Sequence, residues 1–573
     1  MNKHAIHHIT EAPYAYGTGD KSLHLKLRTA KDDLKSVVVY YKDRYDWENE
    51  FDSIELKKAN TSDLFDYYEI DIEVEEKRFR YFFGLIDLED NEYYLNERGL
   101  VDKKPSNPNA FQFPFLCKAD LYKEVDWAQE GVVYQIFPDR FSNGDKNNDP
   151  KGTLPWGGKV TPETMFGGDL QGIINKVDYL SDLGVNILYM TPIFKSRSNH
   201  KYDTTNYYEI DPQFGDNETL RELVKKCHDR GIKVVLDAVY NHSGSDFFAF
   251  EDLVEKGEKS KYKDWYFVDS YPVDVKEVNY LTFANKVSRM PKLNTSNPEV
   301  KDYLLKVSKY WIEEIGIDGW RLDVCDEVDH AFWRDFKKAV KESKEDGFII
   351  GEIMHESSSF LKGDQLDSIM NYPFRECCLD FFARKVMNAD ELDHILAESR
   401  ALYMNSVNRQ LLNLIDSHDT ARFLTECEGD KNKMKLAIAL QYTYIGIPYI
   451  YYGDEIGMEG KNDPDCRRCM IWDKEKQDLD MFDLYKALND VRKKSKALVY
   501  GDYTNICKDG MALGFVRSYK DEKVFVLINN SEEKYEYSLD VNGVAYDLYE
   551  NKKQAIDGKI VLDPMSFKIL KLS

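Results

Sequence analysis

"NETLRELVKKCHDRGIKVVLDAVYN", residues Asn217–Asn241, reads as a helix handing over to a strand. Leu220, Leu223, Val224 and Cys227 recur at intervals of three and four, which lays one apolar stripe along a helix that stops near Gly231. "KVVLDAVYN" then supplies a short apolar run rich in β-branched residues, the mark of a buried strand. The same alternation continues on both sides. "VVYQIFPD" and "NILYMTP" precede it; "GWRLDV", "FIIGEI", "SIMNY", "LLNLID" and "YIYYGDE" follow, with helix-period segments such as "PEVKDYLLKVSKYWIEEIG" between them. Eight strand–helix units predict an α/β chain built on a (β/α)8 TIM barrel, since a doubly wound sheet rarely needs so many.

The barrel rhythm covers 123–499. It is broken after the third strand by a long aromatic and polar stretch over about 243–295, which reads as an inserted subdomain beside the active face. Before the barrel, residues 1–122 alternate apolar and polar in "LHLKLRT", "SVVVYYK" and "RFRYFFGLID", the pattern of a β-sandwich, with "KKPSNPNAFQFP" (Lys103–Pro114) as its exit linker. Alternation returns over 500–573 in "KVFVLINN" and "SFKILKL", predicting a C-terminal β-sandwich.

A formal net charge of -24 disfavours nucleic acid and anionic membrane surfaces as partners and leaves a neutral ligand compatible. With 39 Tyr and 30 Phe there are more rings than a core requires, which suits stacking on sugars. No run of about 18 apolar residues suggests a membrane span, and the first residues lack a signal peptide's apolar centre. The nine cysteines, an odd number, are scattered, which fits free thiols in a reducing cytoplasm. Cys466 and Cys469 form a CxxC without a second pair to complete a zinc set, so a loop or packing role is expected. His4, His7 and His8 read as surface residues, and Trp47 as a core candidate.

Functional groups of a TIM barrel gather at the C-terminal ends of its strands. Those ends carry Asp237, then Arg321 and Asp323, then Glu352, then His418 and Asp419. Acids without a nucleophilic serine turn or a metal-binding helix point to acetal chemistry. One carboxylate attacks the anomeric carbon while a protonated one delivers its proton to the leaving oxygen, the two standing about 5–5.5 Å apart in a retaining enzyme. Arg321 lies two residues before Asp323, on the same side of a strand, where it would hold that carboxylate ionised.

"DAVYNH" (Asp237–His242), "GWRLDV" (Gly319–Val324), "GEIMH" (Gly351–His355) and "LIDSHDTAR" (Leu414–Arg422) resemble, in order, four signature regions of the α-amylase family of glycoside hydrolases. "MPKLN" (Met290–Asn294) is similar to the branch holding neopullulanase, cyclomaltodextrinase and maltogenic amylase. The resemblance implies Asp323 as nucleophile, Glu352 as acid/base and Asp419 as transition-state stabiliser. It implies sugar contacts from His242, Arg321, His418, Tyr202 and Asp237, and further ones from Asp463 and Arg467. It implies a retaining hydrolase of α-1,4 bonds in cyclodextrins, maltodextrins and pullulan. A 4-α-glucanotransferase and a non-catalytic glucan-binding protein remain open alternatives, and the branch implies a homodimer.

The branch usually has Ala-Asn where this chain has Cys325-Asp326, and commonly Trp where it has Met354. In relatives these positions line the leaving-group side; Asp326 and Glu327 read as sugar contacts or ion-pair partners. "NGDKNNDP" (Asn143–Pro150) crowds oxygen ligands in a way that suits Ca²⁺. Similar proteins join Asn143, Asp145, Asn148 and Asp149 to Gly167 and Asp169 in a structural calcium site.

Overall fold

The computed structural model describes residues 1–73, 75, 77–105 and 109–572. Eight strands form one parallel sheet: Val133–Ile136, Ile187–Met190, Lys233–Ala238, Gly319–Leu322, Phe348–Gly351, Ser368–Ile369, Leu412–Leu414 and Ile447–Tyr451. Numbered in chain order they run 6-5-4-3-2-1-8-7, and a parallel bridge from Met370 to Leu412 closes sixth onto seventh. Alternate residues of these strands sort into two cores, as a pleat dictates. Val133, Ile187, Tyr189, Val235, Ile350 and Leu414 fill the barrel, while Ile136, Leu188, Leu236 and Trp320 face outward to the helices.

Four of the enclosing helices start on a side-chain oxygen that takes up a free backbone N–H: Asp169, Asp216, Asn297 and Asp329 cap Leu170–Leu183, Asn217–His228, Pro298–Tyr310 and His330–Ser343. Each cap fixes where the preceding loop must end, and those loops carry the site.

The stretch after the third strand contains the helix Phe248–Lys256 and an aromatic nucleus of Phe247, Phe250, Trp265, Tyr266 and Tyr280. It folds back so that Lys292 bridges to His242. Ahead of the barrel, two antiparallel sheets enclose Leu23, Leu25, Leu27, Val37, Val39, Tyr81, Phe83 and Leu85. After it, six strands from Asp502–Asp509 to Ser566–Leu572 make one antiparallel sheet. One face of that sheet, including Phe515 and Val526, joins the barrel's outer core; the other closes over Leu527, Tyr537, Ile556 and Ile560.

Three expectations change here. Within Lys103–Pro114, residues 106–108 lie outside the described residues, and Phe111–Phe113 is a strand paired with Phe79–Tyr81 rather than a linker. His8 is buried, not at the surface. Its ring bonds the Lys26 carbonyl at 2.7 Å and the Tyr81 hydroxyl at 2.9 Å, because an imidazole offers two polar atoms on an otherwise apolar plate. Trp47 is 61 % exposed, its ring covered by the Arg80 guanidinium 4.0 Å from the centroid instead of by a core.

Candidate active site

The third and fourth barrel strands pair in register, with Asp237 opposite Arg321, so both side chains point into the same end of the barrel. The ladder continues past the strands: Asp323 N donates to the Ala238 carbonyl and Glu352 N to the Leu322 carbonyl. Backbone pairing therefore places the three acids around one guanidinium. Arg321 Nη1 donates to Asp237 Oδ2 at 3.0 Å and to Asp323 Oδ1 at 3.1 Å, while Glu352 Oε1 lies against Nη2. All four residues are buried.

One cation among three carboxylates leaves negative charge uncompensated, and Asp419 adds more. Burial pushes the Asp323 carboxyl well above its ordinary value, and the Glu352 carboxylate pushes in the same direction. Burial raises Glu352 as well, with Asp419 adding to it and Arg321 opposing it. Asp237 is pushed up to about 6 by burial, against the pull of Arg321. Both carboxyls of the Asp323–Glu352 pair are thus shifted toward holding a proton, the direction a general acid beside a nucleophile needs. Arg321 thus serves three acids, where the sequence had suggested a partner for Asp323.

Glu352 Oε2 accepts from Val324 N at 3.0 Å. Val324 reaches that position with φ 43°, a left-handed backbone that a β-branched residue adopts only under constraint. No residue pattern announces this strain.

The sugar-contact candidates are brought together. Tyr202 stacks parallel on His418 at 5.6 Å, and its hydroxyl bonds His418 Nε2 at 2.6 Å. Gln135 of the first strand holds His418 Nδ1 at 2.8 Å, and Tyr189 donates to Asp237 at 2.6 Å. Burial, with Arg467 and Arg321 nearby, holds His418 neutral, well below its ordinary value. Arg467 donates to the His418 carbonyl at 2.8 Å and pairs with Asp419 at 3.2 Å and Asp463 at 3.0 Å. His242, driven to about 3 by burial, lies against the Tyr202 carbonyl. A cleft of about 640 Å³ joins these residues to Asp323, Glu352, Asp326, Glu327, Met354 and His355.

Gln135, Tyr189, His200, Phe283 and Arg289 also shape the site and were not singled out in the sequence. Gln135 and Tyr189 sit inside barrel strands, where a polar residue at an inward position was the available signal. Cys466 and Cys469 are buried, unpaired thiols; Cys466 Sγ lies 3.3 Å from the His418 carbonyl, so it packs beneath the site.

The oxygen-rich loop meets its expected partners. Asp169 accepts from Gly144 N, Asp145 N and Asn148 Nδ2 at 2.9, 2.8 and 3.2 Å while capping the first enclosing helix, so its oxygens are largely committed to holding the loop. Asn143 Oδ1 and Asn148 Oδ1 are buried without a partner. Gly167, at φ 77°, is pressed so close that a Cβ would stand 2.2 Å from Asp149 Oδ1. Unpaired amide oxygens beside Asp145 and Asp149 fit a hard cation. Among the described residues no group of three or more His, Cys, Asp or Glu could hold a metal, so any such site depends on the asparagines.

The alpha amylase catalytic-domain model matches residues 135–501, and the alpha amylase N-terminal ig-like domain model matches 1–117. A cyclomaltodextrinase of Thermoanaerobacter pseudethanolicus is 48 % identical across 100 % of both chains. Neopullulanase 2 of Thermoactinomyces vulgaris is 47 % identical over 94 % of this chain and 92 % of its own. A solved cyclomaltodextrinase structure superposes with a TM-score of 0.95 at 42 % identity, over all of both chains. With its barrel-mouth acids and these matches from end to end, the chain belongs to the α-amylase family of glycoside hydrolases.

Proposed function

We propose that this protein cleaves α-1,4-glucosidic bonds of cyclodextrins, maltodextrins and pullulan with retention, releasing maltose, panose and glucose. The observation that carries the reading is the cluster of Asp237, Asp323 and Glu352 on Arg321, in a chain whose relatives are named for these glucans. Asp323 attacks the anomeric carbon as the glycosidic bond breaks, and the proton of the pair leaves on the departing oxygen from Glu352. The resulting ester to Asp323 is opened by water, whose proton returns to Glu352. Asp419 and Arg467 hold hydroxyls of the distorted ring, and Tyr202 stacks beneath it with His242, His418 and Asp237 completing the pocket.

Asn143, Asp145, Asn148 and Asp149 would hold a structural Ca²⁺ over Gly167, with Asp169 fixing the loop. The exposed rings of Tyr45 and Trp47, 58 % and 61 % accessible, support a homodimer through the N-terminal sheets. Nine unpaired cysteines support a cytoplasmic location.

The test is to give purified protein β-cyclodextrin, pullulan and soluble starch at equal mass and to follow products by chromatography, with Asp323→Asn as blank. Faster cyclodextrin than starch breakdown and an inactive variant support the reading. Equal activity of the variant removes Asp323 as nucleophile, and failure on every glucan removes the proposal.

A further inference from the structure

Gln135 is an amide in a barrel strand, where an apolar side chain would ordinarily pack. It is fully buried, pairs in register with Tyr189 of the second strand and Tyr451 of the eighth, and lies beneath the cleft rather than in its lining. Among the described residues its side chain has one hydrogen-bond partner, His418, whose Nδ1 lies 2.8 Å from Gln135 Nε2. Gln135 Oε1 is buried with no partner. The amide is thus committed to one ring nitrogen.

The other ring nitrogen faces groups that end in carboxylates. His418 Nε2 lies 3.1 Å from Asp419 Oδ2 and 2.6 Å from the Tyr202 hydroxyl. That hydroxyl is itself 3.3 Å from Asp237 Oδ2, which also accepts from Tyr189 at 2.6 Å and from Arg321 at 3.0 Å. A carboxylate only accepts, so the Tyr202 proton points to Asp237 and the Tyr202 oxygen is left to accept from His418 Nε2. A neutral imidazole carries a single ring proton, and which nitrogen holds it is set by the bond the other makes. With the proton on Nε2, Nδ1 is a bare lone pair that needs a donor, and the Gln135 N–H supplies it.

Resting on the hydrolase reading above, we propose that Gln135 is a positioning residue: by donating to Nδ1 it locks His418 as the Nε2–H tautomer, so that the ring offers the cleft a neutral donor for a sugar hydroxyl. The other tautomer would turn a bare nitrogen toward Asp419 and the Tyr202 oxygen, where acceptor meets acceptor and the sugar loses a donor.

The experiment records ring-nitrogen resonances of ¹⁵N-histidine protein at neutral pH without substrate, with His418 assigned by its loss in His418→Gln. Wild type should show a protonated Nε2 and a bare Nδ1; a proton on Nδ1 overturns the proposal. In Gln135→Glu, whose carboxylate accepts, the proton should move to Nδ1, and in Gln135→Met the ring should no longer hold one tautomer. A His418 signal unchanged in both variants overturns the proposal as well. In kinetics, Gln135→Met should lower kcat/KM on maltotriose about tenfold, and should cost nothing further in the His418→Gln background. Equal losses in both backgrounds would mean that Gln135 acts through packing and not through the ring, against the proposal. Thermal midpoints check that the variants are folded, and the wild-type spectrum decides the tautomer by itself. A wild type inactive on maltotriose removes the hydrolase reading, a failure distinct from a wrong tautomer.

Discussion

At the scale of single residues, three carboxylates crowd one guanidinium, and burial raises both Asp323 and Glu352. Activity should then require the singly protonated pair. Rate falls at low pH when Asp323 is neutralised, and at high pH when Glu352 gives up its proton. Both groups are raised, so the alkaline limb of kcat/KM on maltotriose should lie above the ordinary carboxylate range of roughly 4. An alkaline limb within that range would mean that burial does not retain the proton. Glu352→Gln should lower kcat on maltotriose on the order of 10²- to 10⁴-fold. Maltosyl fluoride, whose leaving group needs no proton, should lose far less; equal losses on the two substrates would assign the acid elsewhere.

At the scale of elements, the loop 143–149 is fastened to the helix Leu170–Leu183 through Asp169, and Gly167 admits it by lacking a Cβ. Gly167→Ala should destabilise the protein by roughly 1–3 kcal/mol, since it adds backbone strain and a clash with Asp149 and Asn143. Chelation should lower the wild-type melting temperature and leave the variant's nearly unchanged. A variant that still gains stability from added calcium would place the ion elsewhere. The barrel strands impose a similar closeness: a Cβ on Gly319 would stand 2.4 Å from the Phe348 carbonyl, which is why the strand bearing Arg321 begins with glycine.

At the scale of the whole molecule, His8, His242 and His418 are buried and the half-buried His200 is largely desolvated. All four are shifted toward the neutral form. Burial takes His8 and His200 to about 4 and His242 to about 3, from 6.5. Between those values and 6.5 the unfolded chain binds more protons than the folded one, so stability increases with pH across the window. It is fully present above 6.5 and is lost as pH falls, at roughly 1.4 kcal/mol per pH unit for each group. Melting temperature should therefore drop between pH 7 and pH 5, and His8→Gln should make that drop shallower. A profile flat over this range would mean these rings are already protonated in the native protein.

Periodicity alone determined the barrel, its flanking β layers and the candidate acids, because a parallel barrel must alternate apolar strands with amphipathic helices and must present chemistry at strand ends. The oxygen-rich turn was equally legible, since a cation loop needs its ligands close in sequence. Tertiary structure decided what depends on distant chains meeting. Register set Asp237 opposite Arg321, so that one guanidinium serves three acids, and Val324, two residues past the fourth strand, took a left-handed backbone. Packing buried His8, which local sequence placed at the surface, and left Trp47, a core candidate, exposed. The pairing of Asp326 with His355 joins two loops that share no local pattern. A side chain's type is written locally, but its partner is fixed by which strand ends the closed barrel brings together.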